Sequence, residues 1–183
     1  MELATILQAI LLTADKPLSV EQLETYFLPE EKVARMAIRV ALQDLQDVCA
    51  GQSFELKETA SGFRLQTRAE FQPWVQRHHE EKPQKYSRAF LETLALIAWR
   101  QPITRAEIEE IRGVAVNANI IKTLLERDWV RVIGHKELPG RPEMLGTTRH
   151  FLDHFNLRSL DDLPSLAAVK ALDMDKLQLE LLG

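Results

Sequence analysis

Residues 140–148 have the sequence GRPEMLGTT and lie within the stretch that decides the fold, residues 87–164. Three short helical patterns precede this Gly/Pro-rich turn, and strand-like sequences flank it. Three helices followed by a hairpin are the element order of a winged helix-turn-helix domain. The stretch therefore predicts a small, mainly helical domain with a β wing.

A similar pattern occurs upstream, and its matching positions all have the same offset along the chain. Ser19 and Gln22 match Thr104 and Glu107, and each pair has the spacing of a capping box, which begins a helix. Two alternating segments around a turn that contains Gly62 predict a first hairpin, since glycine adopts positive φ freely. The predicted fold class is mainly α with small β wings, in two tandem winged helix-turn-helix domains.

Composition changes along the chain suggest the domain boundaries. We predict a first domain over residues 1–79, which includes a linking helix, and a charged, proline-containing linker over residues 80–87. The second domain would cover residues 88–164, and residues 165–183 form a Leu- and Asp-rich tail. The third helix of the first domain is predicted over residues 31–48. Its inward face would consist of Val33, Ala37, Val40, Ala41, Leu42 and Leu45.

Composition excludes several classes of protein. The chain has 183 residues, 45% of them hydrophobic, and a net charge of −4. It lacks an apolar run long enough to cross a membrane, and its N-terminus does not have the pattern of a signal peptide. We therefore expect a cytoplasmic protein with no membrane partner. One cysteine, Cys49, rules out an intrachain disulfide, and its place at the end of an apolar helix favours packing over reactivity.

Motifs that carry chemistry are missing. The sequence contains no phosphate-binding glycine loop, no zinc-protease motif and no nucleophile elbow. His150 and His154 are one helical turn apart, but a third metal ligand is not evident. We therefore predict a protein that is not an enzyme and binds no cofactor or metal.

A DNA-binding transcription regulator of the winged-helix type is the alternative. Lys122 and Arg127 lie on the predicted third helix of the second domain, and Lys136 lies in its wing, where such proteins contact DNA. However, Glu126 and Asp128 stand beside them, and anions are unfavourable near phosphate. Residues 88–150 carry 10 basic and 8 acidic side chains, which is a weak excess for a duplex binder.

The three tryptophans differ in context. Trp74 and Trp129 are predicted to be core residues. Trp99 ends a helix whose inward face is already filled by alanine, leucine and isoleucine, and it stands close to Pro102 and Ile103. It could serve as core or as an aromatic anchor for a protein partner, and both interpretations stay open.

The chain resembles the bacterial segregation and condensation protein B family, and the resemblance covers roughly residues 3–164. It is most specific over the second domain. The matching segments are residues 87–114 (SRAFLETLALIAWRQPITRAEIEEIRGV), 123–127 (TLLER), 139–142 (PGRP), 145–148 (LGTT) and 159–164 (SLDDLP). In the first domain, residues 62–68 (GFRLQTR) and 73–75 (PWV) fit the family.

The resemblance implies a non-catalytic accessory subunit that supports chromosome condensation and segregation during cell division. It implies a homodimer joined through the first domains. It also implies that the second domain binds the kleisin, segregation and condensation protein A, which bridges the structural-maintenance-of-chromosomes ATPase. The subunit would be cytoplasmic and associated with the nucleoid through that complex, with little or no direct DNA binding.

On this basis we expect the kleisin to bury apolar side chains against the first two helices and the wing of the second domain. The residues predicted to form that contact are Leu94, Trp99, Pro102, Ile103, Arg105 and Arg141.

Overall fold

The computed structural model describes residues 2–79 and 86–164. The predicted tail and most of the predicted linker, residues 80–85, lie outside the described residues. The chain divides into two compact units. Both are mostly helical, and each carries a small antiparallel sheet. No helix in the described ranges combines the length and apolarity that a bilayer span requires.

Over residues 2–79, the first unit contains four α-helices and one hairpin. Its elements are α1 (Leu3–Thr13), α2 (Val20–Glu24), α3 (Arg35–Val48), β1 (Phe54–Thr59), β2 (Gly62–Thr67) and α4 (Gln72–His79). The predicted capping box begins α2, because the Gln22 amide donates to Ser19 Oγ at 3.2 Å and the Ser19 amide donates to Gln22 Oε1 at 2.9 Å. That prediction is confirmed.

Apolar side chains from all three leading helices and the hairpin form the core of the first unit. The core comprises Leu7, Leu11, Val20, Leu23, Ile38, Ala41, Leu42, Leu45, Cys49 and Leu56. Cys49 is buried, as its predicted packing role requires, and this burial raises the pKa of its thiol. A raised pKa lowers the thiolate fraction and so its reactivity.

Helix α3 differs from its prediction in two ways. It begins at Arg35 because Pro29–Glu31 forms a separate 3-10 turn, which ends with Lys32 at φ +49°. The predicted inward positions Ala37 and Val40 are exposed, and Ile38 is buried in their place. The α3 face that we predicted was therefore partly wrong, and an apolar surface remains outside the core.

The first hairpin is held against the chain before α2. Leu18 and Phe63 exchange two backbone hydrogen bonds, each 2.9 Å long. Gly62 adopts φ +139° beside this bridge, which confirms the predicted positive φ. A Cβ atom at Gly62 would lie 2.3 Å from the carbonyl carbon of Leu18, so only glycine allows the approach.

The second unit repeats this arrangement with a longer loop in its hairpin, which we call the wing. Its elements are α5 (Arg88–Arg100), β3 (Ile103–Thr104), α6 (Arg105–Arg112), α7 (Ala118–Glu126), β4 (Val130–His135), β5 (Glu143–Thr147) and α8 (Arg149–His154). The antiparallel sheet has the order β3-β5-β4. The sequence did not predict the two-residue strand β3. In β3, Ile103 pairs with Leu145, just as its counterpart in the first unit, Leu18, pairs with Phe63.

A second capping box begins α6, as predicted. The Thr104 hydroxyl accepts from the Glu107 amide at 3.3 Å, and Glu107 Oε2 accepts from the Thr104 amide at 2.9 Å. Trp129 belongs to the buried core of this unit, which confirms its prediction, whereas Trp74 of the first unit is exposed and its core assignment is wrong. The core residues of the second unit are Phe90, Leu94, Ile97, Ala98, Ile103, Ile108, Val116, Leu124, Trp129, Val130, Leu145 and Phe151.

Candidate partner-binding surfaces

A groove of about 760 Å³ runs across the second unit between α6, α7 and β5. We call it the α6–α7 groove. It is lined by Arg105, Ala106, Glu109, Ala118, Ile121, Lys122, Leu125, Glu126, Pro142, Glu143 and Leu145. Ile121 and Leu125 are one helical turn apart on α7, so both side chains face the same side of that helix. The groove therefore combines an apolar floor with a charged rim.

Two charged residues of α6 hold the loop that leads into α7. Arg105 Nε lies 2.9 Å from Glu109 Oε1, and the Arg105 guanidinium also donates to the Val116 carbonyl at 2.7 Å. The Val116 amide donates to Glu109 at 2.9 Å, and this bond, together with Arg105, lowers the pKa of the carboxyl. Asn117 then caps α7 by accepting from the Asn119 amide. These contacts fix the two helices that form the groove walls.

A further ion pair joins α6 to the wing. Lys136 Nζ lies 2.5 Å from Glu107 Oε1, while the other carboxylate oxygen of Glu107 accepts from the amide and the hydroxyl of Thr104. The Lys136 ammonium, followed by the two Thr104 donors, lowers the pKa of Glu107 to about 2. The Glu107 carboxylate thus caps the start of α6 and also holds Lys136, the residue that follows β4.

Stability should depend on pH through Glu107. The folded-state pKa is about 2 against an ordinary value of 4.5, so the carboxylate stabilises the fold above pH 4.5. That contribution is lost as the pH falls from 4.5 towards 2. Because the side chain is 37% exposed, solvent screening reduces its size to about 1 kcal/mol. Denaturant unfolding of wild type and Glu107→Gln should therefore differ by about 1 kcal/mol at pH 7, and the difference should shrink steadily in acid.

Lys136→Met is the matched control for that experiment, since it removes the strongest cause of the lowered pKa and keeps the cap. In a Lys136→Met background, the Glu107→Gln substitution should have a smaller effect at pH 7. An unchanged difference from pH 7 to pH 2 in the wild-type background would contradict the assignment.

The six predicted kleisin contacts differ in their exposure. Leu94 and Ile103 are only 4% and 3% exposed because they belong to the buried core of the unit. A partner cannot reach them, so the structure contradicts their prediction as kleisin contacts. Arg105 lines the α6–α7 groove. Pro102 is exposed and directly precedes β3. Trp99 is half-buried.

Two of these residues have specific local contacts. The Trp99 indole Nε1 donates to the Pro164 carbonyl at 3.1 Å, so the ring holds the segment that follows α8. Arg141 is exposed in the wing turn at φ +41°, and its amide donates to the Leu138 carbonyl at 2.8 Å. Gly140 precedes it at φ +83°, a backbone angle that glycine adopts freely.

The three basic residues of the DNA-binding alternative all have partners within the unit. Lys122 pairs with Glu126 at 3.7 Å, and Lys136 pairs with Glu107. The guanidinium of Arg127 stands 5.2 Å and 5.4 Å from the centroids of two aromatic rings. Each of the three charges therefore has an anionic or aromatic neighbour within the unit, although the Lys122 pair lies at the exposed surface.

A metal site is not evident either. Within residues 2–79 and 86–164, no three His, Cys, Asp or Glu side chains group as metal ligands. The ring of His154 packs on Trp129 with a centroid separation of 4.6 Å.

The first unit exposes an apolar strip along α3, which we call the α3 stripe. Met36, Val40 and Val48 recur at multiples of four residues and are 71%, 55% and 55% exposed. Together with Leu3 and Ala4 of α1, they line a shallow groove of about 780 Å³. The sequence analysis missed this surface because it assigned Val40 to the core and gave Met36 and Val48 no role.

The sequence profile of the family described as "Segregation and condensation complex subunit ScpB" matches residues 5–166. The chain belongs to the ScpB family. It is 46% identical over 173 residues to the segregation and condensation protein B homolog of Coxiella burnetii, covering 94% of this chain and 82% of that one. Its identity to the Syntrophotalea carbinolica protein is 44% over 166 residues, with coverages of 91% and 83%.

A solved structure also matches. The crystal structure of ScpB from Mycobacterium tuberculosis is 32% identical and covers 85% of this chain and 96% of that one, with a TM-score of 0.37. The family match identifies the chain as an accessory subunit of the segregation and condensation complex. It disfavours the alternative of a transcription regulator.

Proposed function

We propose that this ScpB protein forms a homodimer through its first unit and binds the kleisin ScpA through its second. The family match carries the proposal, because it spans both units. Through the kleisin, the subunit would act on the structural-maintenance-of-chromosomes ATPase without catalysing a reaction itself. Its place would be the cytoplasm, at the nucleoid.

Each unit is proposed to be a winged helix-turn-helix domain. Three helices, a backbone pairing just before the second helix, and a closing hairpin occur in both units, and this order supports the assignment. We assign dimerisation to residues 1–79, the link to residues 80–87 and kleisin binding to residues 88–164. Residues 165–183 are a tail of unassigned role.

The α6–α7 groove is the surface that we propose for the kleisin. Its apolar floor and charged rim fit an amphipathic helix that inserts side chains one turn apart. Ile121 and Leu125 would form the floor, and Arg105 would meet an acidic side chain at the rim. Trp99, Pro102 and Arg141 remain proposed contacts beside it.

The α3 stripe is the surface that we propose for the dimer. A twofold interface places the same patch of each subunit opposite its copy, so a self-complementary apolar strip is well suited to it. Burying such a strip removes apolar area from water on both subunits at once.

Light scattering coupled to size-exclusion chromatography tests whether the protein forms a dimer and whether it binds the kleisin. The protein alone should elute with the mass of two chains, and addition of the ScpA kleisin of the same organism should give a defined larger complex. A monomer that ignores the kleisin would refute the proposal. A shift on duplex DNA that weakens steeply with salt would favour the DNA-binding alternative.

A charge placed in the α6–α7 groove should weaken kleisin binding. Leu125 is exposed on the groove floor, so Leu125→Asp should leave the fold intact and would place a carboxylate against apolar kleisin side chains. We expect the Kd measured by calorimetry to rise about 30-fold, or about 2 kcal/mol.

Val114→Asp is the matched control for Leu125→Asp. Val114 is also exposed, in the same unit, and does not line the groove. Its Kd for the kleisin should stay within about twofold of wild type, a change of at most about 0.4 kcal/mol. Equal losses in the two variants would mean that the groove is not the binding surface.

A further inference from the structure

An aromatic cluster lies where the linker joins the second unit. The ring of Tyr86 stacks on Phe90, with centroids 4.8 Å apart and an interplanar angle of 16°. It also lies 5.6 Å from the ring of Trp129, which is buried just before β4. The chain is therefore packed against the unit two residues before α5 begins.

Arg127 joins this cluster from the other side. Its guanidinium carbon stands 5.2 Å from the centroid of Tyr86 and 5.4 Å from the centroid of Trp129. Both distances are within the range of cation–π attraction, and the planar guanidinium can lie over aromatic faces as an ammonium cannot. The side chain is half-buried, which strengthens the attraction because water screens it less.

Trp129 also holds the other end of the unit. Its ring contacts His154 and Phe155, at and just after the end of α8, with centroid separations of 4.6 Å and 5.1 Å. The contacts with His154 and Phe155 hold the Trp129 ring in place, and Tyr86 and Arg127 pack against that ring.

We propose that Tyr86 and Arg127 are positioning residues that clamp the end of the linker to the second unit. The clamp fixes Tyr86 and with it the point at which the chain enters that unit. Arg127 thereby has a role in the fold in place of the DNA contact that its position in the sequence suggested.

The clamp bears on partner binding, and this step rests on the proposed function. This step adds to the proposed function a kleisin contact on the first unit, which then forms at an effective concentration set by the chain between the two contacts. Holding Tyr86 in place lowers the entropy lost when that second contact forms. Release of the clamp should therefore weaken binding of a kleisin that spans both units, but not binding of a fragment that occupies the α6–α7 groove alone.

Trypsin gives a direct test on the full-length protein. Within residues 80–86, Lys82 precedes Pro83 and resists trypsin, so Lys85–Tyr86 is the susceptible bond. Cleavage of this bond requires Tyr86 and the residues that follow it to detach from the fold. Under the clamp, this bond should be cut slowly in wild type. It should be cut at least about tenfold faster in Tyr86→Leu, which keeps an apolar side chain but loses the aromatic face.

Two further variants make the test specific. Arg127→Gln leaves Tyr86 and the bond itself unchanged, and it should also accelerate cleavage severalfold. Tyr86→Phe keeps the ring and should be cut at the wild-type rate. Wild-type rates in both Tyr86→Leu and Arg127→Gln would overturn the clamp. So would equal acceleration in Tyr86→Phe.

Kleisin affinity separates the clamp from the proposed function. With the clamp variants, the Kd for the spanning kleisin should rise about three- to tenfold and the Kd for the groove fragment should not change. If wild type binds the kleisin and the variants bind both ligands as wild type does, the positioning role is refuted while the function stands. If wild type binds neither ligand, the proposed function fails, and the protease rates still decide whether the clamp exists.

Discussion

Gly62→Ala should unfold the first unit, or nearly so. Gly62 has φ +139°, a region that side chains with a Cβ atom rarely adopt. The new methyl group would lie 2.3 Å from both the carbonyl carbon and oxygen of Leu18 and 2.5 Å from the amide nitrogen of Ser19. All three are backbone atoms, so no side-chain rotation can relieve the overlap. The hairpin would have to leave Leu18, with the loss of both hydrogen bonds to Phe63.

We expect a loss of about 4 kcal/mol in the free energy of unfolding of the first unit, the sum of backbone strain, steric overlap and lost hydrogen bonds. Hydrogen exchange of α1 and α3 amides measures it, and the second unit serves as an internal reference. Globally protected amides of the first unit should exchange roughly a thousandfold faster.

Gly51→Ala is the matched control for Gly62→Ala. Gly51 also has a positive φ, +81°, but a Cβ atom there would meet nothing within 4 Å. It therefore carries the strain without the overlap, and we expect a loss of about 1 kcal/mol. Similar exchange rates in the two variants would show that the Leu18 contact does not decide the stability of the hairpin.

Local signals in the sequence predicted the elements well. Both capping boxes depend on side chains one helical turn apart, and both are present with the expected hydrogen bonds. The strand β3 escaped prediction because so short a strand carries no detectable alternation, and its pairing partner Leu145 is distant in the sequence. The cation–π contact of Arg127 depends on Tyr86, which precedes α5 and is equally distant along the chain, so the charge of Arg127 alone suggested a DNA contact.

The candidate sites were harder to predict than the elements. Leu94 and Ile103 are apolar and fall in the segment that resembles the family, which made them candidate contacts. The residue type alone does not distinguish a buried apolar side chain from an exposed one, and both are buried. For Val40 the error was the reverse: we predicted that this apolar side chain faces the core, and it is exposed. When the apolar residues of a helix cover more than its core-facing side, the remaining ones are available for a second contact. On α3 these are Met36, Val40 and Val48, which lie outside the core of the unit.

Val40→Asp should convert the proposed dimer into monomers. Val40 lies between Met36 and Val48 in the α3 stripe, so the new carboxylate would be buried on association. In a twofold interface the substitution occurs twice, and Asp44 of the same groove adds a like charge. Burial of unpaired carboxylates is costly, so we expect the dimer Kd to rise at least about 100-fold, or about 2.7 kcal/mol.

Ile111→Asp controls for the added charge. Ile111 is 54% exposed against 55% for Val40, but it lies on α6 of the second unit and does not line the groove of the α3 stripe. Analytical ultracentrifugation should find Ile111→Asp dimeric at concentrations where Val40→Asp is monomeric, with both variants fully folded by circular dichroism. A dimer of unchanged Kd in Val40→Asp would exclude the α3 stripe as the interface. Dissociation in both variants would mean that net charge, and not the stripe, controls association.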